Sequence, residues 1–172
     1  MDRRTAIDTA LANVMLSIDG STTPSGYIFY NTVATVNIED EAVTQNTTGF
    51  PAISIMEGDG GGEEILSGEQ RAYRSEIFYE LQCEVVNDIT NINATTSPKN
   101  ALKVKMNELL SDIKKAISDN PSLSDTCDLC SVIASKREYS DDGNVIRAGD
   151  LMVEISVIYS QSRINPNNNC AI

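Results

Sequence analysis

The sequence contains no histidine and no tryptophan. Because histidine is the commonest general base and metal ligand, its absence removes most familiar arrangements for acid–base catalysis and metal binding. The G-x-S-x-G and H-E-x-x-H motifs are also missing. Glu80 and Glu84 share the polar face of a predicted strand and could act as a glycosidase-type pair, but such glutamates are usually solvated or ion-paired. We therefore expect a non-enzyme that needs no cofactor and no metal.

Basic residues are absent from a long stretch, residues 5–70, which carries acidic side chains throughout. The whole chain has a formal net charge of −12 and a pI of about 4.3. An acidic half would repel phosphate groups, which argues against reading a nucleic-acid sequence. The charge either keeps the surface soluble or matches partner or neighbouring subunits.

No apolar run approaches the roughly 20 residues of a membrane span, so we expect no membrane association. The N-terminus, MDRRTAIDTALANVML, has basic residues before an apolar stretch. Asp8 and Asn13 interrupt that stretch, and its apolar residues recur at helical spacing. An amphipathic helix over residues 2–18 is therefore predicted in preference to a signal peptide.

The four cysteines do not form a recognisable framework. Cys83 falls on the apolar face of a predicted strand, as a core residue would. Cys127 and Cys130 form a C-x-x-C after a predicted helix and at the start of a strand, unlike the thioredoxin arrangement. We expect buried, reduced thiols in a protein made in the cytoplasm, with a redox or metal role as the alternative.

Two alternating stretches and one amphipathic stretch define the predicted core. Residues 71–86 and 150–160 alternate as half-buried strands do, and residues 98–118 repeat apolar side chains at helical spacing after the capping pair Ser97-Pro98. Further extended segments are predicted at residues 27–38, as an irregular or edge strand, and at residues 50–56 and 129–139. The sequence thus predicts an α+β two-layer sandwich, with two helices on one face of a mostly antiparallel sheet of four to five strands.

Residues 57–70, EGDGGGEEILSGEQ, suggest a phosphate-binding loop, but the G-K-[ST] of such loops is absent and the acids would repel phosphate. A flexible hairpin tip is the better interpretation. Loops that project from a rigid sheet often carry contacts, so this tip and two following arginines are the candidate interface. These residues are Gly58, Asp59, Gly60, Gly61, Gly62, Glu63, Glu64, Arg71 and Arg74.

The element order and several degenerate motifs resemble a known family. These motifs are F-P-A-I-S-I at residues 50–55, R-x-x-R-x-x-I-F-Y-E-L at residues 71–81, A-L-x-x-x-M-x-E-L-L-x-D-I at residues 101–113 and L-M-V-E-I-S-V-I-Y at residues 151–159. Together they are similar to the tail terminator or tail completion proteins of long-tailed bacteriophages, the group around the lambda minor tail protein U. The resemblance covers residues 1–163 as one domain and leaves residues 164–172 as a flexible tail.

The resemblance implies a virion structural protein, made in the host cytoplasm, that caps the tail tube. Such proteins form hexameric rings, contact the major tail protein and the neck or head-completion proteins, and let DNA pass non-specifically through the lumen. In such a ring, Glu80, Glu84 and Glu154 would face the lumen and prevent DNA from sticking. A neck adaptor of the same virion and a non-viral acidic module that binds a basic partner are the alternatives.

Overall fold

The computed structural model describes residues 3–38, 49–58, 63–65, 72–86, 97–141 and 146–162. Two helices and six strands follow one another within these residues. They are α1 (Arg3–Leu16), β1 (Thr35–Ile38), β2 (Ala52–Glu57), β3 (Glu63–Ile65), β4 (Ala72–Val86), α2 (Pro98–Asp119), β5 (Leu129–Asp141) and β6 (Ile146–Ser162). Neither helix of the described residues is long and apolar enough to cross a membrane.

The strands form one sheet in the order β1-β2-β4-β6-β5. The pairs β2–β4, β4–β6 and β6–β5 are antiparallel, and β1 joins β2 in parallel at one edge. The short β3 pairs with the beginning of β4, at Tyr73–Ser75, and β2 pairs with a later part of the same strand. A mostly antiparallel sheet with two helices confirms the predicted α+β fold class.

The core lies between the helices and one face of the sheet. Alternate side chains of β4 and β6 are buried, as the period-two pattern predicts. The buried strand residues are Ile77, Tyr79, Leu81, Cys83, Val85, Leu151, Val153, Ile155, Val157 and Tyr159. The buried helical residues include Ile7, Leu11, Val14, Met15, Leu102, Met106, Leu109, Leu110, Ile113 and Ile117. Both helices therefore cover the same face of the sheet.

The ends of α2 follow from its capping residues. The Ser97 side chain accepts a hydrogen bond from the backbone N–H of Asn100, and Pro98 takes the first helical position. Asn120 caps the other end, with its backbone N–H on the carbonyl of Ile117. The predicted start of this helix is confirmed, and its end at Asp119 agrees with the predicted end near Asp119-Asn120.

Residues 27–38 are predicted as an irregular or edge strand, and their last four residues form a strand. Strand β1 begins at Thr35, and the preceding segment folds back on itself through the isolated bridges Asp19–Thr32 and Thr22–Ile28. Gly20 has a φ of +77°, and a side chain there would meet Thr32 Oγ1 at 2.9 Å. The placement of β1 at the sheet edge agrees with the prediction.

A buried carboxylate holds this folded segment against α2. Asp112 is fully buried. Its Oδ1 accepts hydrogen bonds from the Tyr27 hydroxyl at 2.9 Å and the Tyr30 N–H at 3.1 Å. Its Oδ2 accepts from the N–H of Asn31 at 2.9 Å and from Asn31 Nδ2 at 2.8 Å. These four bonds replace the water that a buried carboxylate loses.

Candidate interaction surface

The sheet face away from the helices is rich in carboxylates. The side chains that alternate with the buried ones on β4 and β6 point to this side, together with part of β5. No helix of the described residues packs on it, since the core residues of α1 and α2 lie on the other side. We define the acidic face as Glu80, Glu84, Glu138, Asp150 and Glu154.

Strand register places these carboxylates opposite one another. Glu80 is paired with Glu154, and Glu84, Asp150 and Glu138 form a row across β4, β6 and β5. Like charges in directly opposed positions destabilise a sheet. Consistent with this, partial burial and then the charge of Asp150 raise the pKa of Glu84. Partial burial and then Glu138 raise the pKa of Asp150.

Two contacts relieve part of this repulsion. Gln82 Nε2 donates to Glu80 Oε1 at 2.8 Å, and Lys136 Nζ lies 2.5 Å from Glu138 Oε1. Lys136 is exposed, so its pair with Glu138 contributes little stability. The face remains strongly negative despite these contacts.

A shallow groove of about 340 Å³ crosses the acidic face. Phe78 and Ile133 supply its apolar lining, Glu80 and Glu154 lie beside them, and Gly58 lies at the end of β2. Ile133 is 51% exposed, which is high for an isoleucine on a strand. The groove therefore offers an apolar contact surrounded by negative charge.

The opposite side of the molecule carries positive charge, because basic residues that gather on the central helix of the sequence lie on the solvent side of α2. The outward positions of α2 from Lys99 to Lys114 contain three exposed lysines and no exposed carboxylate. Val104 in the same stretch is 53% exposed. We define the basic stripe as Lys99, Lys103, Val104, Asn107, Ser111 and Lys114. The signal was present in the sequence, because these residues occupy the side of the helix away from its apolar residues.

The predicted site residues fall in different parts of the structure. Glu80, Glu84 and Glu154 do share one face. Gly58 donates its N–H to the carbonyl of Phe78 at 2.8 Å. Asp59, Gly60, Gly61, Gly62 and Arg71 lie outside the described residues.

The prediction that Glu63 and Glu64 belong to a flexible tip is wrong. Both residues lie in β3, where Glu64 stands opposite Arg74 in the antiparallel register. No alternating pattern marks a strand this short, so sequence periodicity could not find it.

The C-x-x-C thiols lie in the core, as predicted. Cys127 and Cys130 are buried, and burial is the main reason that the pKa of each thiol is raised to about 12. Raised pKa values suppress the reactive thiolate. No group of three or more histidine, cysteine, aspartate or glutamate residues suited to a metal ion occurs in the described part of the chain.

No protein-family model matches the chain, and no curated protein matches it. The structure shows an α+β domain with a carboxylate-rich sheet face on one side and exposed lysines on the helical side.

Proposed function

We propose that this protein is a virion structural protein that caps the tail tube of a long-tailed bacteriophage as a ring. In this function it ends tube polymerisation and provides the surface that joins the tail to the head. Its partners are further copies of itself, the major tail protein and a neck or head-completion protein. The motifs that resemble tail terminators support the proposal from the sequence.

The observation that carries the proposal is the acidic face. A sheet covered by helices on one side leaves the other side available for contacts. Its groove is open and shallow, and its carboxylates are spread in rows across three strands. This geometry suits a surface that meets other protein surfaces better than it suits a pocket that encloses a substrate.

The charge of the chain suits a ring through which DNA passes. At −12 per copy, an assembly of several copies would repel the phosphate backbone and keep DNA from adhering to the lumen. The acidic face can lie toward the lumen, as the sequence analysis expected for Glu80, Glu84 and Glu154, or toward the next subunit. Both positions are compatible with the function.

The predicted tube contact contains two arginines, and Arg74 is the one that lies within the described residues. It is half-buried on β4, beside β3. Arg74→Glu should abolish capping if this end of the sheet contacts the tube, because reversing a charge in a contact places like charges together. Arg137→Glu on the edge strand β5 makes the same charge change elsewhere and serves as the control.

The test adds purified protein to polymerising tail tubes of the same phage and measures tube length by electron microscopy. Wild-type protein and Arg137→Glu are expected to bind one tube end and stop elongation. Arg74→Glu should keep its circular dichroism spectrum and leave elongation unchanged. If wild-type protein in excess does not alter tube length, the proposal is wrong. Binding to the head connector without binding to the tube would instead identify a neck adaptor.

A further inference from the structure

We infer that the acidic face of one copy packs against the basic stripe of the next copy. The inference rests on the proposed function, since it specifies how the subunits of the ring meet. The two surfaces belong to opposite sides of one subunit: α2 packs its apolar side on the core face of the sheet, and the acidic face is the other side of the same sheet.

The sizes of the two surfaces agree. Lys99 and Lys114 are 15 positions apart on α2, which corresponds to about 22 Å along a helix axis. Glu84 and Phe78 are six positions apart on β4, which corresponds to about 20 Å along a strand. One helix can therefore lie along the acidic face and bring its lysines near the carboxylate rows.

Apolar side chains match in the same arrangement. Val104 is an exposed apolar side chain beside Lys103, and the groove lined by Phe78 and Ile133 lies beside Glu80 and Glu154. A valine that enters this groove would bury apolar surface that both sides now expose to water. Lys103, beside Val104, would then face the carboxylates around the groove.

The distribution of charge determines how copies are related. A two-fold contact that used one of these surfaces twice would place carboxylates against carboxylates or lysines against lysines. A head-to-tail contact pairs opposite charges instead. Heterologous contacts of this kind close into rings when the rotation between subunits allows it. In this arrangement the next subunit covers Glu80, Glu84 and Glu154, which then do not line the lumen.

The experiment uses two charge-reversed forms of the full chain. The first carries Lys103→Glu and Lys114→Glu, and the second carries Glu80→Lys and Glu154→Lys. Lys103, Lys114 and Glu154 are exposed and Glu80 is half-buried, so both variants should fold, and circular dichroism checks this. Arg137→Glu is the control for a change of charge outside the two surfaces. Sedimentation velocity measures association of each protein alone and of an equimolar mixture.

Each variant alone should associate about tenfold or more weakly than wild type, because like charges then meet in the contact. The mixture should regain association, since each variant supplies the surface that matches the other. Arg137→Glu should behave as wild type. The inference is overturned if both variants associate as wild type does, if the mixture regains nothing, or if wild type remains monomeric well above micromolar concentration.

Electron microscopy of the same samples separates this inference from the proposed function. Wild-type rings on tube ends, together with undiminished association of both variants, would preserve the function and remove the contact. Restored association in the mixture, with no binding of wild type to tubes, would preserve the contact and remove the function.

Discussion

Asp112 is the single residue on which the N-terminal part of the fold depends most. It interrupts the apolar side of α2 three residues after Leu109, and it is fully buried. A buried carboxylate is costly unless its oxygens are hydrogen-bonded, and here both oxygens accept bonds from residues 27–31. Sequence periodicity shows an acid out of place at this position but cannot identify its partners, which lie more than 80 positions away.

Asp112→Ala should destabilise the protein by about 3 kcal/mol, because the donors of Tyr27, Tyr30 and Asn31 would lose their buried acceptor. Urea unfolding followed by circular dichroism measures the change. Asp119→Ala on the same helix removes an exposed carboxylate whose contact is with Lys115, and should cost about 0.5 kcal/mol. Equal unfolding midpoints for the two variants would show that the buried network stabilises the protein no more than the exposed ion pair does.

The buried thiols give a second prediction at the residue scale. Cys83, Cys127 and Cys130 are all buried, and burial raises the pKa of each thiol. In a Cys170→Ser background, native protein at pH 8 should react with Ellman's reagent far more slowly than urea-unfolded protein, which should expose three thiols. Rapid reaction of two thiols in the native state would favour a redox role for the C-x-x-C instead.

At the scale of elements, sequence periodicity predicts a helix or strand correctly where one side of the segment faces solvent and the other faces the core. β4, β6 and α2 satisfy that condition, and the apolar residues that their patterns single out are buried. Residues 19–34 do not satisfy it. Their path is set instead by the backbone conformation of Gly20, by backbone hydrogen bonds and by the hydrogen bonds to Asp112. The charged surfaces can be predicted only in part. The sequence pattern shows on which side of its strand or helix a residue lies, but it does not show which strands become neighbours.

The carboxylate row across β4, β6 and β5 makes stability depend on pH. The pKa of Asp150 is raised in the folded state, so the folded protein binds a proton more readily than the unfolded chain does. The contribution of Asp150 to stability should therefore increase as pH falls through its raised folded-state pKa toward about 4, near the ordinary pKa of aspartate. Glu84 contributes in the same direction.

Asp150→Asn should stabilise the protein at pH 7 by about 0.5 kcal/mol, since it removes a like charge from the row. The gain should vanish below about pH 4, where the wild-type carboxyl is protonated in both states. Urea midpoints measured across this range check the prediction, with Asp119→Asn as the control. A variant that is less stable than wild type at pH 7 would mean that Asp150 makes a favourable contact as a charged group.

At the scale of the whole molecule, the proposed assembly depends more on where the charged residues lie than on the net charge. The sequence shows an acidic chain, and the fold places carboxylates on one side of the sandwich and exposed lysines of α2 on the other. The proposed ring uses that polarity, because a subunit with two different sides can join to copies of itself in one direction. The family resemblance supplied the proposal of a ring, whereas the neighbouring strands and the helix orientation that would form its contacts required the structure.

Negative-stain electron microscopy of purified protein mixed with tail tubes tests the central claim most directly. The account predicts closed rings with a central opening, each seated on one end of a tube. Tubes with bare ends in the presence of excess folded protein would contradict it.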